Sequence, residues 1–478
     1  MEKIKKYDNL LVWIGIAIFS AVIIFQVPVS AEDELWNFQN IYKMVNGYTI
    51  YQDANVIITP IFFLIGEILF KILGANYFIY RLFDVCIYST MILIVYNILK
   101  QVKIEKRRAF MYTLIVHYFI YTIITGGANY NTLALTFVLL GVYISLKYQP
   151  NTKQFILLNG IVMYLIIFTK QNIGAYYCIG SIFMQWFMRK KDNQKYLDIL
   201  KQIAIVIVLS LLTLGIFFIN GNLIDFINYA FLGIGEFGSN NVAIEIMCMV
   251  HLTVAIITII CAVFIQKKIA NEEQKRNISI FLCIGIPMLL IIYPIINAFH
   301  TMLAILVLVV FLMYLADIVI GNFLTTKRMN IVIGFMVLIF TLLGLKSGII
   351  IIKNNPFMTN YQNPYYGVFV SEETNKKINN VNQYIKENKE KVIIFSKEAA
   401  LYNIDEKRNN GAMDLPFLGN LGYGGEEKML EDVKSKGGYQ ILLTKENYWQ
   451  ESKKITDYIK ENYTKIGEIE EFEIYQIP

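Results

Sequence analysis

Apolar residues gather in blocks at 10–29, 57–73, 78–99, 109–125, 131–146, 155–169, 172–188, 202–220, 244–266, 278–296, 300–320 and 330–352. Most match the length of a helix crossing a hydrocarbon core, about 20 residues at ~1.5 Å rise each. The second block is different. As a helix, Ile57 to Leu73 reaches only about 25 Å, and it holds Pro60 together with Glu67 and Lys71, spaced to pair on one helix face. It predicts an interfacial or re-entrant helix rather than a span. Before it, Leu35, Phe38, Ile41, Tyr42 and Val45 recur at helical spacing, so an amphipathic helix from Asp33 is expected along the outer membrane surface.

After Asn354 the pattern becomes that of a soluble α/β segment. Val392–Ser396, Tyr439–Thr444 and Phe472–Ile477 predict strands; Glu373–Glu390, Gly425–Lys436 and Glu451–Tyr463 predict helices, with Gly419–Gly425 as a turn-rich loop. Those glycines do not follow a strand at phosphate-loop spacing, so they imply no nucleotide site. Met1 to Lys6 is basic and is followed by the first apolar block. That block is longer than a signal-peptide core and lacks a small-residue cleavage site, which predicts an uncleaved first helix.

Charge then orients the chain. With 57–73 not spanning, the N-terminus and the loops around 100–108, 147–153, 189–201, 267–276 and 327–328 share one side and carry 21 Lys and Arg. The opposite loops before Asn354 hold Lys43, Lys71, Arg81 and Lys170. The positive-inside rule therefore predicts eleven spans, a cytoplasmic N-terminus and an extracytoplasmic C-terminus. The expected fold class is an all-α polytopic membrane bundle, with interfacial helices in the first outer loop and a small C-terminal extracytoplasmic α/β domain. The expected domains are 1–353, with its outer loop 30–77, and 354–478.

Composition agrees with this class: of 478 residues 56% are hydrophobic and 17% charged, against about a quarter charged in soluble domains. The Ile, Lys, Asn and Tyr bias fits an AT-rich, bacterial genome. The net charge of +6 is uneven: 27 basic and 17 acidic residues up to Lys353, 16 and 20 beyond it. The positive excess belongs to the membrane part and is no nucleic-acid footprint. Cys86, Cys178, Cys248, Cys261 and Cys283 lie in apolar blocks without paired spacing, so neither a disulfide framework nor a metal knuckle is implied. Three histidines leave little room for a zinc cluster.

Candidate chemistry concentrates at the outer rim. Glu32, Asp33 and Glu34 follow the first helix. Mutual repulsion at the membrane edge favours a raised pKa on one of them, which suits a general base. Ser30-Ala-Glu-Asp33 also resembles a capping box, and acids at a helix N-terminus complement its dipole; both readings stand. Asn131 fits a helix N-cap as well as a site residue. Lys170, at the outer junction of two spans, either faces an anion or snorkels to the interface. Arg81 and Asp84 are spaced to pair, with a phosphate role for Arg81 as the alternative. His300 sits at another outer junction, His117 and His251 are expected to be packed and hydrogen-bonded, and Asp317 is expected to be solvated. Glu236 and Glu245 flank a loop suited to an acceptor.

The order Asp33-Glu34-Leu-Trp36, Gly47-Tyr-Thr-Ile-Tyr51-Gln-Asp53, Thr59-Pro60 with the interfacial helix to Gly74, and Tyr80-Arg81-Leu82 resembles the first outer loop of GT-C fold glycosyltransferases. The style is that of protein O-mannosyltransferases and bacterial aminoarabinose transferases, best over residues 10–175. The resemblance implies a membrane glycosyltransferase whose partners are a polyprenyl-phosphate sugar donor, the lipid bilayer and an acceptor that is a glycolipid, cell-wall polymer or protein. It implies Asp33 as the base taking the acceptor hydroxyl proton, supported by Glu34, and Lys170, Arg81 and His300 as donor-phosphate contacts. Asp53 and Asn131 fall to the acceptor or other site positions. Phe168-Thr-Lys170 resembles the relatives' Thr-Lys-Gly stretch. Asn131 stands where relatives often carry an acid, which puts a second acid or a metal ligand in doubt; no cofactor is implied, and a divalent metal stays open. The reading from another class is a transporter or flippase of lipid-linked saccharides. That would place charges near the midplane, often with inverted repeats.

Overall fold

The computed structural model describes residues 8–26, 33–54, 56–120, 129–189, 192–233, 246–269, 271–293, 296–323, scattered positions from 328 to 353, 357–358, 369–388, 391–396, 399–402, 420–445 and 451–478. Among them, six helices are long and apolar enough to cross a membrane: Tyr77–Gln101, Tyr130–Lys147, Gln194–Ile219, Ile246–Lys268, Glu272–Ile292 and Ala298–Val319. Shorter apolar helices include Asn9–Phe25 and Lys153–Ile167. The chain is a multi-pass membrane protein. Helices stand at ten of the eleven predicted spans; the block at 330–352 falls largely outside the described residues. The chain divides into two compact units.

The first unit comprises Met1–Ile24, Asp84–Thr213 and Asn241–Ile350. Its helices meet through small residues, as expected where lipid supplies no hydrophobic drive for association. A Cβ on Gly180 would lie 2.7 Å from the Cys283 carbonyl oxygen, so Gly180 lets Gln171–Met188 approach the backbone of Glu272–Met288. The Ala298–Phe323 helix is buried continuously from Thr301 to Phe311, and its apolar window is 67% buried. The equally apolar window of Gln194–Ile219 is only 17% buried, which marks a lipid-facing helix. The ends are capped by named groups. Glu105 accepts from the Arg107 and Arg108 amides, Thr152 from Phe155, and Asn271 from Glu273 and Gln274. Arg276 donates to the carbonyls of Ser145, Leu146 and Tyr148, closing the C-terminus of Tyr130–Lys147 from a neighbouring helix.

A buried amide network ties three successive helices of this unit, and nothing in the sequence pattern announced it. Asn159 donates to Ser181 (2.9 Å) and Gln202 (2.6 Å) and accepts from the Tyr177 hydroxyl (2.7 Å). Gln185 and Gln202 exchange amide hydrogen bonds of 3.2 and 2.7 Å. Below it, Arg189 pairs with Asp198 at 2.9 Å and also with Asp192. Asp317 departs from expectation: it is not simply solvated but pairs with Arg108 at 3.2 Å, both largely buried.

The second unit comprises Phe25–Phe83, Leu214–Asn240 and Ile351–Pro478. The Asp33–Val45 helix forms where the spacing placed it, but its polar face is not solvated: Glu34, Asn37, Gln39, Asn40 and Lys43 are buried with the apolar ones. The helix is enclosed by protein on nearly every side. It packs on Ile61–Leu73, where Gly66 makes room for Ile41, and Phe38 meets Phe70, Tyr77 and Tyr80 at 5.1–5.8 Å. Ile61–Leu73 starts only after Thr59-Pro60, so it is shorter than the apolar block. Its 13 residues give about 20 Å, short of a hydrocarbon core. It buries Phe62, Phe63 and Phe70, exposes Leu64, Ile65, Ile68, Ile72 and Leu73, and carries the expected Glu67–Lys71 pair at 2.6 Å.

The tail of this unit holds the predicted α/β fold. Strands β1 (Phe357–Met358) and β2 (Phe369–Val370) form a short antiparallel pair. Strands β3 (Val392–Phe395), β4 (Gln440–Thr444), β5 (Thr464–Ile469) and β6 (Phe472–Gln476) form one sheet in the order β3-β4-β6-β5. β3 and β4 are parallel, which requires a crossover, and Gly425–Lys434 supplies its helix. The core includes Ile393, Phe395, Val433, Ile441, Leu443 and Ile459. Strand β5, like the short β1 and β2, was not foreseen. Its side chains alternate little and are mostly exposed, as befits an edge, and Lys465 there pairs with Glu468 and Glu473.

Candidate active site

Asp33 and Glu34 occupy the first turn of the Asp33–Val45 helix, at the positive end of its dipole. They have different surroundings. Asp33 is exposed; Glu34 is fully buried and paired with Arg81, Oε1 to Nε 2.7 Å. Arg81 comes from Tyr77–Gln101 and is itself buried, its guanidinium 5.2 Å from the centre of the Tyr77 ring. The spacing of Arg81 and Asp84 had suggested a local pair; the long-range partner Glu34, on another helix, was not legible. Ser30 and Glu32 lie outside the described residues, as do Glu236 and Glu245.

Asp53 belongs to the same unit. Its carboxylate accepts from the Thr49 amide at 2.7 Å, and its own amide donates to the Thr49 carbonyl. It therefore closes the turn in which Tyr51 adopts φ +70°. Tyr51 is buried against Phe217 and Phe226 and donates its hydroxyl to the Ile58 carbonyl at 2.7 Å. Burial pushes the Tyr51 hydroxyl well above its ordinary pKa. It remains a hydrogen-bond donor at any physiological pH. Asn222 fixes the turn from another segment, donating to the Ile50 carbonyl at 3.2 Å. The Gly47-to-Asp53 stretch is thus a rigid support, and Asp53 acts in it through backbone hydrogen bonds.

Lys170, Asn131 and His300 belong to the first unit, and there they meet. Lys170 donates its ammonium to the Asn131 side-chain oxygen and lies 5.0 Å from the centre of the Tyr130 ring. It is close enough to His300 for its charge to act on the imidazole. His300 is fixed by Asn297, whose side-chain oxygen accepts from the His300 amide at 2.8 Å and contacts Nδ1 at 2.9 Å. The N-cap reading of Asn131 is corrected. Asn129 is the cap, accepting from the amides of Asn131 and Thr132 in a capping box completed by Thr132. The Asn129-x-x-Thr132 spacing carried that signal. Freed from capping, Asn131 is buried and turned to the lysine. Three groups able to donate to a phosphate therefore cluster at one set of helix ends, next to an aromatic ring.

His251 bonds Thr301 at 2.8 Å and His117 packs among Phe19, Tyr88 and Tyr118, so both are packing residues; the expected hydrogen bond is found for His251 but not for His117, whose ring nitrogens are buried without one among the described residues. Among the described residues no group of three His, Cys, Asp or Glu side chains is arranged to hold a metal ion.

Comparison with known proteins gives one kind of answer. No family model matches the chain, and no curated protein matches it in sequence. Its fold is similar to that of ArnT in two crystal structures. The crystal structure of ArnT from Cupriavidus metallidurans in the apo state aligns over 98% of this chain and 97% of its own, with a TM-score of 0.55 and 8% identity. The same protein bound to undecaprenyl phosphate aligns over 98% of both chains, with a TM-score of 0.55 and 9% identity. At such identity the likeness establishes fold, and it extends through the C-terminal segment.

Proposed function

We propose that this protein is a GT-C type glycosyltransferase that moves a sugar from a polyprenyl-phosphate carrier to an acceptor hydroxyl at the outer membrane face. The observation that carries the reading is the fold match along 98% of the chain to a transferase crystallised with undecaprenyl phosphate. The first-loop motif supports it, as does the Lys170–Asn131–His300 cluster.

In this reading the exposed Asp33 carboxylate takes the acceptor hydroxyl proton while the oxygen attacks the anomeric carbon. The carbon–oxygen bond to phosphate breaks, and polyprenyl phosphate leaves with the bonding electrons. Phosphate is a competent leaving group, so a separate acid is not required. Glu34 holds Arg81; Arg81 and Lys170 are the proposed cations for the departing phosphate, and His300 is a proposed hydrogen-bond donor to it. Asp53 orders the loop and Asn131 orients Lys170. Residues 1–353 form the transferase domain and 354–478 an extracytoplasmic domain that serves the acceptor side, with the N-terminus cytoplasmic.

The test is transfer from a labelled polyprenyl-phosphate sugar by the purified protein in nanodiscs, with the acceptor taken from an envelope extract of a strain lacking the chain. Sugar transfer with release of polyprenyl phosphate is expected. Asp33→Asn keeps the side chain's size and should lower turnover by about two to four orders of magnitude, the usual contribution of a positioned base. Normal turnover in Asp33→Asn removes Asp33 from the mechanism. Movement of the intact donor between leaflets without transfer replaces the transferase reading by the flippase one.

A further inference from the structure

A groove of about 260 Å³ opens on the first unit, lined by Phe183, Phe187, Leu282, Cys283, Ile286 and Pro287, with Gln266 and Ser279 as its polar members. Those two are joined, Gln266 Nε2 donating to Ser279 Oγ at 3.0 Å, and Ser279 donates onward to the Lys275 carbonyl. The polar end therefore lies toward the start of Glu272–Met288, and Ile286 and Pro287 lie deeper. The nine residues from Ser279 to Pro287, eight helical rises, span about 12 Å, the length of eight to ten methylenes.

An apolar groove alone confers no preference in a bilayer, because acyl chains are as apolar as its walls. Selectivity has to come from the polar end, and there the charge is one-sided. Gln266 is followed by Lys267 and Lys268, both exposed. The acids of that edge are already engaged: Glu272 with Lys275 at 2.7 Å and Glu273 with Lys103 at 2.5 Å. Among the described residues no carboxylate pairs with Lys267 or Lys268.

We propose that this groove binds an anionic phospholipid of the adjacent leaflet, one acyl chain lying along Phe183, Phe187 and Ile286 and the headgroup phosphate meeting Lys267 and Lys268. The site is independent of the transferase reading, since it shares no residue with Asp33, Glu34, Arg81, Lys170 or His300.

The experiment is native mass spectrometry of the protein released from nanodiscs made of equal parts phosphatidylglycerol and phosphatidylcholine of identical chains. The wild type should retain phosphatidylglycerol in preference, on the order of five-fold per lysine engaged. Lys267→Gln/Lys268→Gln should still retain lipid but with the preference reduced to near unity. Ile286→Trp and Leu282→Trp, which fill the groove by different routes, should lose retention while unfolding at the wild-type temperature. Equal retention of the two lipids by the wild type overturns the proposal, as does unchanged retention in both tryptophan variants. Recovery of a polyprenyl phosphate in place of phospholipid also overturns it.

Discussion

Replacing Arg81 alone leaves Glu34 as a buried carboxylate without its ion-pair partner, a loss of about 3–5 kcal/mol, whereas replacing both partners by apolar groups of similar volume is often neutral. Arg81→Met should therefore lower the unfolding temperature in detergent, and Arg81→Met/Glu34→Leu should restore it. Under the proposed function the double variant stays impaired in turnover, because the phosphate has lost a cation. Full recovery of both stability and turnover would assign Arg81 to structure only. Lys170 separates its two readings differently. Lys170→Met keeps most of the stem and removes the charge, so donor KM should rise several-fold while expression and melting stay near wild type. An unchanged KM returns Lys170 to the interface. At this scale the sequence was a partial guide. It brought Lys170, Asn131 and His300 into view one by one, but their meeting, like the Glu34–Arg81 pair, depends on contacts between segments 39 to 47 positions apart or more.

At the scale of elements, the features easiest to read were those set by local periodicity. The short helix ending at Leu73, the strands β3, β4 and β6, and the tail helices Glu372–Glu387, Gly425–Lys434 and Lys453–Asn462 all stand within a few residues of their predicted bounds. Strand β5 escaped because an edge strand with charged, mostly exposed side chains has no alternation to detect. The amide network escaped because single Asn and Gln residues inside apolar blocks carry no period. Its worth is nonetheless predictable. Gln202→Leu leaves the Gln185 side-chain oxygen without its donor and takes one hydrogen bond from each of the Asn159 and Gln185 amide NH2 groups, which keep their bonds to Ser181. A buried unpaired polar group costs about 1–3 kcal/mol, more than the ~0.6 kcal/mol average of an interhelical hydrogen bond in a bilayer. The stranded oxygen decides the outcome, so a loss on the order of 2 kcal/mol is expected, read as a lower unfolding temperature with turnover per folded molecule preserved. Loss of turnover without loss of stability would contradict a purely structural network.

For the whole molecule, the charge pattern makes a prediction about sidedness. Arg108, Arg189, Arg276 and the Lys267-Lys268 pair all sit in the segments predicted to face the cytoplasm, and three of these arginines are engaged there by Asp317, Asp198 and backbone carbonyls. A reporter inserted at Lys103 should read as cytoplasmic and one fused after Lys353 as extracytoplasmic. Identical readings at the two positions would overturn the eleven-span topology and with it the outer placement of Asp33. The fold as a class was legible from block length and charge asymmetry, because the bilayer imposes both.

The amide network also bears on how the chain is made. Asn159, Ser181 and Gln202 belong to three consecutive helices, and Gln202 follows Asn159 by 43 residues. At a synthesis rate of roughly 5–20 residues per second, Asn159 waits about two to nine seconds for its last partner. Tyr177 and Ser181 reach it sooner, 18 and 22 residues on, and Gln185 waits only 17 residues for Gln202. Each newly emerged helix thus satisfies the amide left by the one before. The triplet can close on itself at the insertion site while the helix from Ala298 onward is still untranslated, delivering a finished three-helix seed to the bilayer instead of three separately stranded segments.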